Sequence, residues 1–168
     1  DNASMWAISK VMEADVAGFS AISKALALGE STVAVAAAGA DKIVEILKEM
    51  KEKIVTATGD NVDHAKLTTD VKALSDQITS IIGAAQFNGM NLLSDTGAGS
   101  GTSLKVLASL DRTSSTVTAT SITVKSAEFS NDLAAAATLS VASTADATTA
   151  LGTIETLITA AIKGAAAL

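Results

Sequence analysis

His64 is the one histidine of the chain, and no cysteine exists to join it. A His/Cys metal site or a nucleophile–base pair needs a second such group, so both chemistries lack their ingredients. His64 therefore reads as a solvated residue at the start of a helix. Asp60 and Asp63 do not have the spacing of a calcium loop. Glu45, Glu49 and Glu52 alternate with Lys48, Lys51 and Lys53, which is the pattern of a solvated helix face rather than of a general-acid pair. Gly97, Gly99 and Gly101 have the look of a dinucleotide loop, but no helix with the right apolar pattern follows and no Gly-Lys-Ser/Thr is present. Trp6 reads as a packing residue. The serines and threonines of 113–123 read as strand, and O-glycosylation of an exposed tip is a second reading that the sequence leaves open. The expectation is a protein with no catalytic residues, no cofactor and no metal.

The elements that would carry these residues are mostly helical. The chain of 168 residues is 48% hydrophobic but only 2% aromatic, and it has no proline. Alanine thus supplies much of the apolar count. It favours helix strongly and buries little area per residue, which suits closely packed helices. Residues 1 to about 58 read as one helix. Ile43, Leu47, Met50 and Ile54 form an apolar stripe, and Ile8, Val11, Met12, Phe19, Ile22 and Leu26 continue it more loosely upstream. Val33 to Gly39 is apolar nearly all round and should be enclosed by other helices. At 1.5 Å per residue such a helix is ~85 Å long, which predicts a rod.

Gly59-Asp60-Asn61 stops it. Gly59 suits a left-handed position after the helix, and Asp60, Asn61 or Asp63 can cap the next one. The second helix is expected from about Val62 to Gly83, with a seam of Leu67, Val71, Leu74, Ile78 and Ile81 packed antiparallel on the first. Residues 94 to 103 read as a loop. Leu104 to Leu110 and Val117 to Val124 read as strands of a hairpin turning at 111–115, and 126–139 has no decisive pattern. The last helix starts near Ser143, where Ser143 and Asp146 form a variant capping box, and its seam is Leu151, Ile154, Ile158, Ala161 and Ala165. The two chain ends should pack together, with the β-rich middle at the far end. The predicted class is mainly α: an elongated antiparallel helical bundle of two N-terminal helices plus one C-terminal helix, with a small distal β-hairpin region. The expected division is 1–93, the N-terminal part of a helical rod domain; 94–142, a distal β-rich variable tip; and 143–168, the C-terminal helix completing the rod.

The net charge of −6 and the absence of a basic stripe argue against nucleic-acid binding. Lys and Glu interrupt the longer apolar windows, so membrane insertion is not expected. No signal-peptide pattern opens the chain, and both ends look cut.

Gln86-Phe87-Asn88-Gly89, followed by Met90-Asn91-Leu92-Leu93, resembles the Q-F-N-G-x-x-L-L signature of bacterial flagellins. Asp1-Asn2-Ala3 and the helix after it resemble the opening of that family's D1 domain. Thr56-Ala57-Thr58-Gly59 and the heptads of the second helix follow in the same order. Ala147 to Leu168, with Thr153-Ile154-Glu155-Thr156-Leu157-Ile158, is similar to the family's C-terminal D1 helix. The alanine-rich, Lys/Glu-rich style resembles flagellins of alphaproteobacteria.

The resemblance implies a structural subunit of the flagellar filament, self-assembling through helix-face packing, exported and located at the cell surface. It implies partners that are copies of itself and the flagellar export and cap proteins, and a D1 core fragment lacking the terminal D0 segments. A surface adhesin for polysaccharide on the same scaffold is the alternative. Some flagellins activate a vertebrate Toll-like receptor through an arginine and, four residues on, a leucine of the first helix, with a glutamate of the second. Aligned without gaps, these positions fall on Glu49, Lys53 and Asp70. A charge reversal and a charge in place of an apolar anchor imply a non-activating patch.

Overall fold

A computed structural model of the chain describes residues 2–94, 103–113 and 116–168. Helix α1 runs uninterrupted from Asn2–Ala57 and α2 from His64–Ala84. A two-residue pair follows, β1 (Gln86–Phe87) and β2 (Met90–Asn91), then the longer strands β3 (Ser103–Arg112) and β4 (Val117–Lys125). A single turn α3 (Phe129–Asp132), a 3₁₀ turn (Ala134–Thr138) and α4 (Thr144–Ala166) complete the chain. The expected fold class and nearly every expected boundary agree with this order. Most of the expected loop at 94–103, including the three glycines, lies outside the described residues.

The chain divides into two units, one of Asp1–Ser31 with Leu104–Val124 and one of Thr32–Ser103 with Lys125–Leu168. The second unit holds the helical bundle. The stripe of Ile43, Leu47, Met50 and Ile54 is fully buried, together with Ile46 and Ala57. From α4 come Ala147, Ala150, Ile154, Leu157 and Ala161. The alanines let backbones approach closely, so the interior is thin in side-chain volume and depends on small residues meeting large ones. Thr144 Oγ1 donates to Asp60 at 3.1 Å, and Glu155, eleven residues later, meets Lys51. That order makes α4 antiparallel to the second half of α1.

The seam of α2 differs from the expected one. Its buried residues are Val71, Ser75, Ile78 and Ile82, whereas Leu67, Leu74 and Ile81 are only half-buried. Spacings of 4, 3 and 4 fit both sets; Ser75, Ile78 and Ile82 face Phe129, Leu133 and Ala136, whereas Ile81, of the expected seam, lies against Gly39 of α1. The helix-to-helix turn also differs. Asp63 caps α2 by accepting from the Lys66 N–H at 3.0 Å, as one of three expected caps. Gly59 does not take the left-handed conformation, since among the described residues only Asn88 and Gly89 have positive φ. Instead α1 closes through tight backbone bonds, Thr58 N–H to Val55 and Gly59 N–H to Thr56. The segment without a decisive pattern supplies Phe129, fully buried, and Leu133.

The first unit pairs the opening half of α1 with the β3–β4 hairpin. Val106 lies against Gly29, Leu110 against Gly18, and Arg112 forms an ion pair with Asp15 at 3.0 Å. This corrects the expected pairing of the two chain ends, because the partner of this half of α1 is β3 rather than α4. Glycine at position 29 is required by space: a Cβ there would lie 2.6 Å from Val106. The strand β4 stays open. Val117 and Ile122 are more than half exposed, and the sequence shows why. Val117 and Ala119 fall on one parity, Ile122 and Val124 on the other, so no single apolar face exists to be buried.

One further expectation needs correction, and one observation stands beside the expectation of no membrane insertion. By length and composition alone, a stretch of α1 is apolar enough to cross a membrane. Alanine raises the hydropathy of that stretch without adding bulk. The stretch Val33 to Gly39 is not enclosed, for Ala36 is buried while Ala34 and Ala38 are exposed.

Candidate assembly surface and the signature turn

The signature residues build a two-residue hairpin. Gln86 pairs with Asn91 and Phe87 with Met90, leaving Asn88 and Gly89 at the tip with φ of 52° and 82°. Positive φ at both central positions is the type I′ pattern, and Asn-Gly is the dipeptide that adopts it at least cost. Gln86, Asn88 and Gly89 are exposed, and Phe87 is half-buried. The anchors are Leu92 and Leu93, both fully buried.

Asn91, which sequence reasoning passed over, organises this region. It is 5% exposed; its Nδ2 donates to the Ile82 carbonyl at 2.7 Å and its Oδ1 accepts from the Leu93 N–H at 2.9 Å. The first bond ties the turn to the end of α2, and the second shapes the chain leading into the two leucines. The strand-like stretch beyond then receives the returning chain. The Ala127 N–H and the Ser126 hydroxyl donate to the Leu92 carbonyl at 2.8 and 2.9 Å, and the Phe129 N–H donates to Leu93 at 3.1 Å. A buried asparagine has no signature in a single sequence, because its type also suits exposed turns.

The three patch residues lie on neighbouring helices. Glu49 and Lys53 are exposed on α1, one turn apart, and Asp70 is half-buried on α2. Lys53 reaches Asp70 at 3.8 Å, and Lys66 reaches the same carboxylate at 3.2 Å. The structure thus brings Lys53 and Asp70 together, and Glu49 has no ion pair among the described residues. His64 is not simply solvated. Its Nε2 lies 2.9 Å from the Ala57 carbonyl, an end-of-helix acceptor that fixes this nitrogen as the donor. Among the described residues no cluster of His, Asp or Glu has the arrangement of a metal site.

The largest unpartnered feature is on α1. Met5, Ile8, Met12, Val16 and Phe19 are all more than 60% exposed. Their spacings of 3, 4, 4 and 3 put them on one helix face. Trp6 is also exposed, with the Lys10 ammonium 5.9 Å from its ring centre. Of the residues expected to continue the apolar stripe upstream, Ile22 is buried, whereas Ile8, Val11, Met12, Phe19 and Leu26 are exposed. The periodicity was legible; which solvent or partner it faced was not.

Fold and surface together define a helical protein whose distinctive features are packing faces rather than converging polar groups. Residues 1–98 match the family model for the bacterial flagellin N-terminal helical region. The chain belongs to the bacterial flagellin family. It is 38% identical to flagellin A of Rhizobium meliloti over 130 residues, covering 77% of this chain and 32% of that protein. It is 34% identical to flagellin FljM of Caulobacter vibrioides, covering 100% of this chain and 59% of that one. The chain thus spans about a third of the first relative and somewhat over half of the second. Both relatives come from alphaproteobacteria, in keeping with the expected type. The fold is similar to that of Bacillus cereus flagellin, with a TM-score of 0.65 at 23% identity over 81% of this chain and 75% of that one.

Proposed function

We propose that this chain is the packing core of a filament subunit that is exported and assembles with copies of itself at the bacterial cell exterior. The observation that supports this most directly is the exposed stripe of Met5, Ile8, Met12, Val16 and Phe19. Five large apolar side chains aligned on one helix face favour burial against another surface. A contact between unlike patches of identical chains does not close on itself and so propagates. The flagellar export and cap proteins are the further partners that this reading requires. The test is sedimentation and electron microscopy of the full-length protein with Ile8→Asp and Val16→Asp. Both positions are exposed, so the variants should keep their helical circular dichroism and fail to form filaments. Filaments as long and as abundant as those of the unsubstituted protein would refute the assignment of this face.

The patch of Glu49, Lys53 and Asp70 is proposed to be silent toward the Toll-like receptor. Its support is the ion pair from Lys53 to Asp70, which puts a paired charge where an apolar anchor would have to be desolvated. Removing a central arginine or apolar anchor commonly costs ~2 kcal/mol or more of binding. In a cell reporter assay the full-length protein should signal weakly, and Glu49→Arg with Lys53→Leu should gain activity. Strong signalling by the unsubstituted protein would refute this.

A further inference from the structure

We propose that the Asn88-Gly89 turn is a site of spontaneous covalent modification, at which the asparagine amide is lost through a cyclic imide. The backbone nitrogen of Gly89 gives up its proton and bonds to Cγ of Asn88. The Cγ–Nδ2 bond breaks, and Nδ2 leaves as ammonia with that proton. Water then opens the five-membered ring. Cleavage of the bond from nitrogen to Cγ gives an aspartyl residue. Cleavage of the bond from nitrogen to the main-chain carbonyl gives an isoaspartyl residue, whose backbone runs through the former side chain. Only water is consumed, and no oxidant or reductant takes part.

Three features of the structure converge on this turn. Gly89 presents a nitrogen with no side chain beside it, and the position its Cβ would take has nothing within 4 Å. Asn88 is exposed, and among the described residues its amide is not held by any hydrogen bond. Its φ of 52° lies in a region that most non-glycine residues occupy at a cost, so the backbone conformation of Asn88 itself does little to hold the turn closed. Asn91, three residues on, is the built-in contrast. Its amide is fixed at both ends by Ile82 and Leu93, it is buried, and a buried leucine follows it. Asn61 precedes the β-branched Val62, and Asn131 precedes Asp132, whose N–H is bonded to the Glu128 carbonyl at 2.8 Å. Asn2 precedes Ala3. Asn88 alone combines an open nitrogen, an unheld amide and exposure.

The products add one negative charge at the tip of the turn. The isoaspartyl form also adds a backbone carbon to a loop of only two residues between Phe87 and Met90, which that pairing cannot absorb unchanged. The test is incubation of the purified chain in mildly alkaline buffer. Peptide mapping by mass spectrometry, with labelling by an isoaspartyl methyltransferase, then follows every asparagine. The peptide with Asn88 should convert first, to both products with the isoaspartyl form in excess, and faster as pH rises. Asn91 should persist longest within the folded chain. Conversion of Asn2 or Asn61 ahead of Asn88, survival of Asn88 as long as Asn91, or an aspartyl product alone would each overturn the proposal.

Discussion

At the scale of single residues, stability rests on a few side chains whose importance their type does not announce. Asn91 satisfies two backbone groups at once. Replacing it by alanine leaves the Ile82 carbonyl and the Leu93 N–H without their partner in a buried place. Each such loss costs about 1–3 kcal/mol, so Asn91→Ala should lower the thermal midpoint clearly, whereas Gln86→Ala, on the exposed side of the same pair, should not. Gly164 is a second case. A Cβ there would overlap the ring of Phe129, which is fully buried and cannot move aside. Alanine is favoured over glycine in a helix by about 1 kcal/mol, and overpacking costs about 1–3 kcal/mol. Here the collision should win, and a melting curve of Gly164→Ala should show net destabilisation.

At the scale of elements, the seam of α2 decides which substitutions hurt. Ile78 is 2% exposed, whereas Leu74 is only half-buried. Ile78→Asp puts a charge into the apolar interior and should cost several kcal/mol, about 3–5. Leu74→Asp should cost distinctly less, because the carboxylate can reach water. Denaturant melts of the two variants check the register, and equal loss would restore the seam centred on Leu74. The hairpin offers the opposite case. Thr118 lies on a strand exposed almost throughout, so Thr118→Asp should stay within about 0.5 kcal/mol of the parent. The ion pairs along the helices, such as Lys72 with Asp76 at 3.2 Å, are exposed and add little. The capping bond from Asp146 N–H to Ser143 at 3.1 Å matters more, since it occupies an otherwise unpaired helix-end donor.

At the scale of the whole molecule, burial is unevenly shared along one continuous helix. From Ile43 to Ala57, α1 carries six fully or nearly fully buried apolar residues, whereas Ile22 is the one large buried side chain of its stretch up to Ser31. Local opening follows local burial. Hydrogen exchange of the free chain should therefore show amides of residues 5–20 exchanging much faster than those of residues 43–57, although both lie in the same helix. Uniform protection along α1 would contradict this. Packing against a second copy should slow exchange selectively in the first stretch, which links the measurement to the proposed assembly face.

The sequence by itself determined the helices and most of their ends, though not the conformation at Gly59. Such features are local: apolar spacing, Ser143 and Asp63 as caps, and Asn88-Gly89 with its positive φ all act within a few residues. It also carried the family, because the signature turn and the helices around it occur in a fixed order. What it could not determine was which side of each helix meets which partner. The spacings on α2 admit two adjacent seams, and the stripe of Met5, Ile8, Met12, Val16 and Phe19 has the same periodicity whether it is buried or open. The choice depends on contacts between residues far apart in the chain: β3 meeting the first half of α1, α4 meeting the second, and Leu92 and Leu93 accepting backbone hydrogen bonds from Ala127 and Phe129. Only the tertiary structure sets those meetings, since burial is a property of two surfaces and a sequence window holds only one of them.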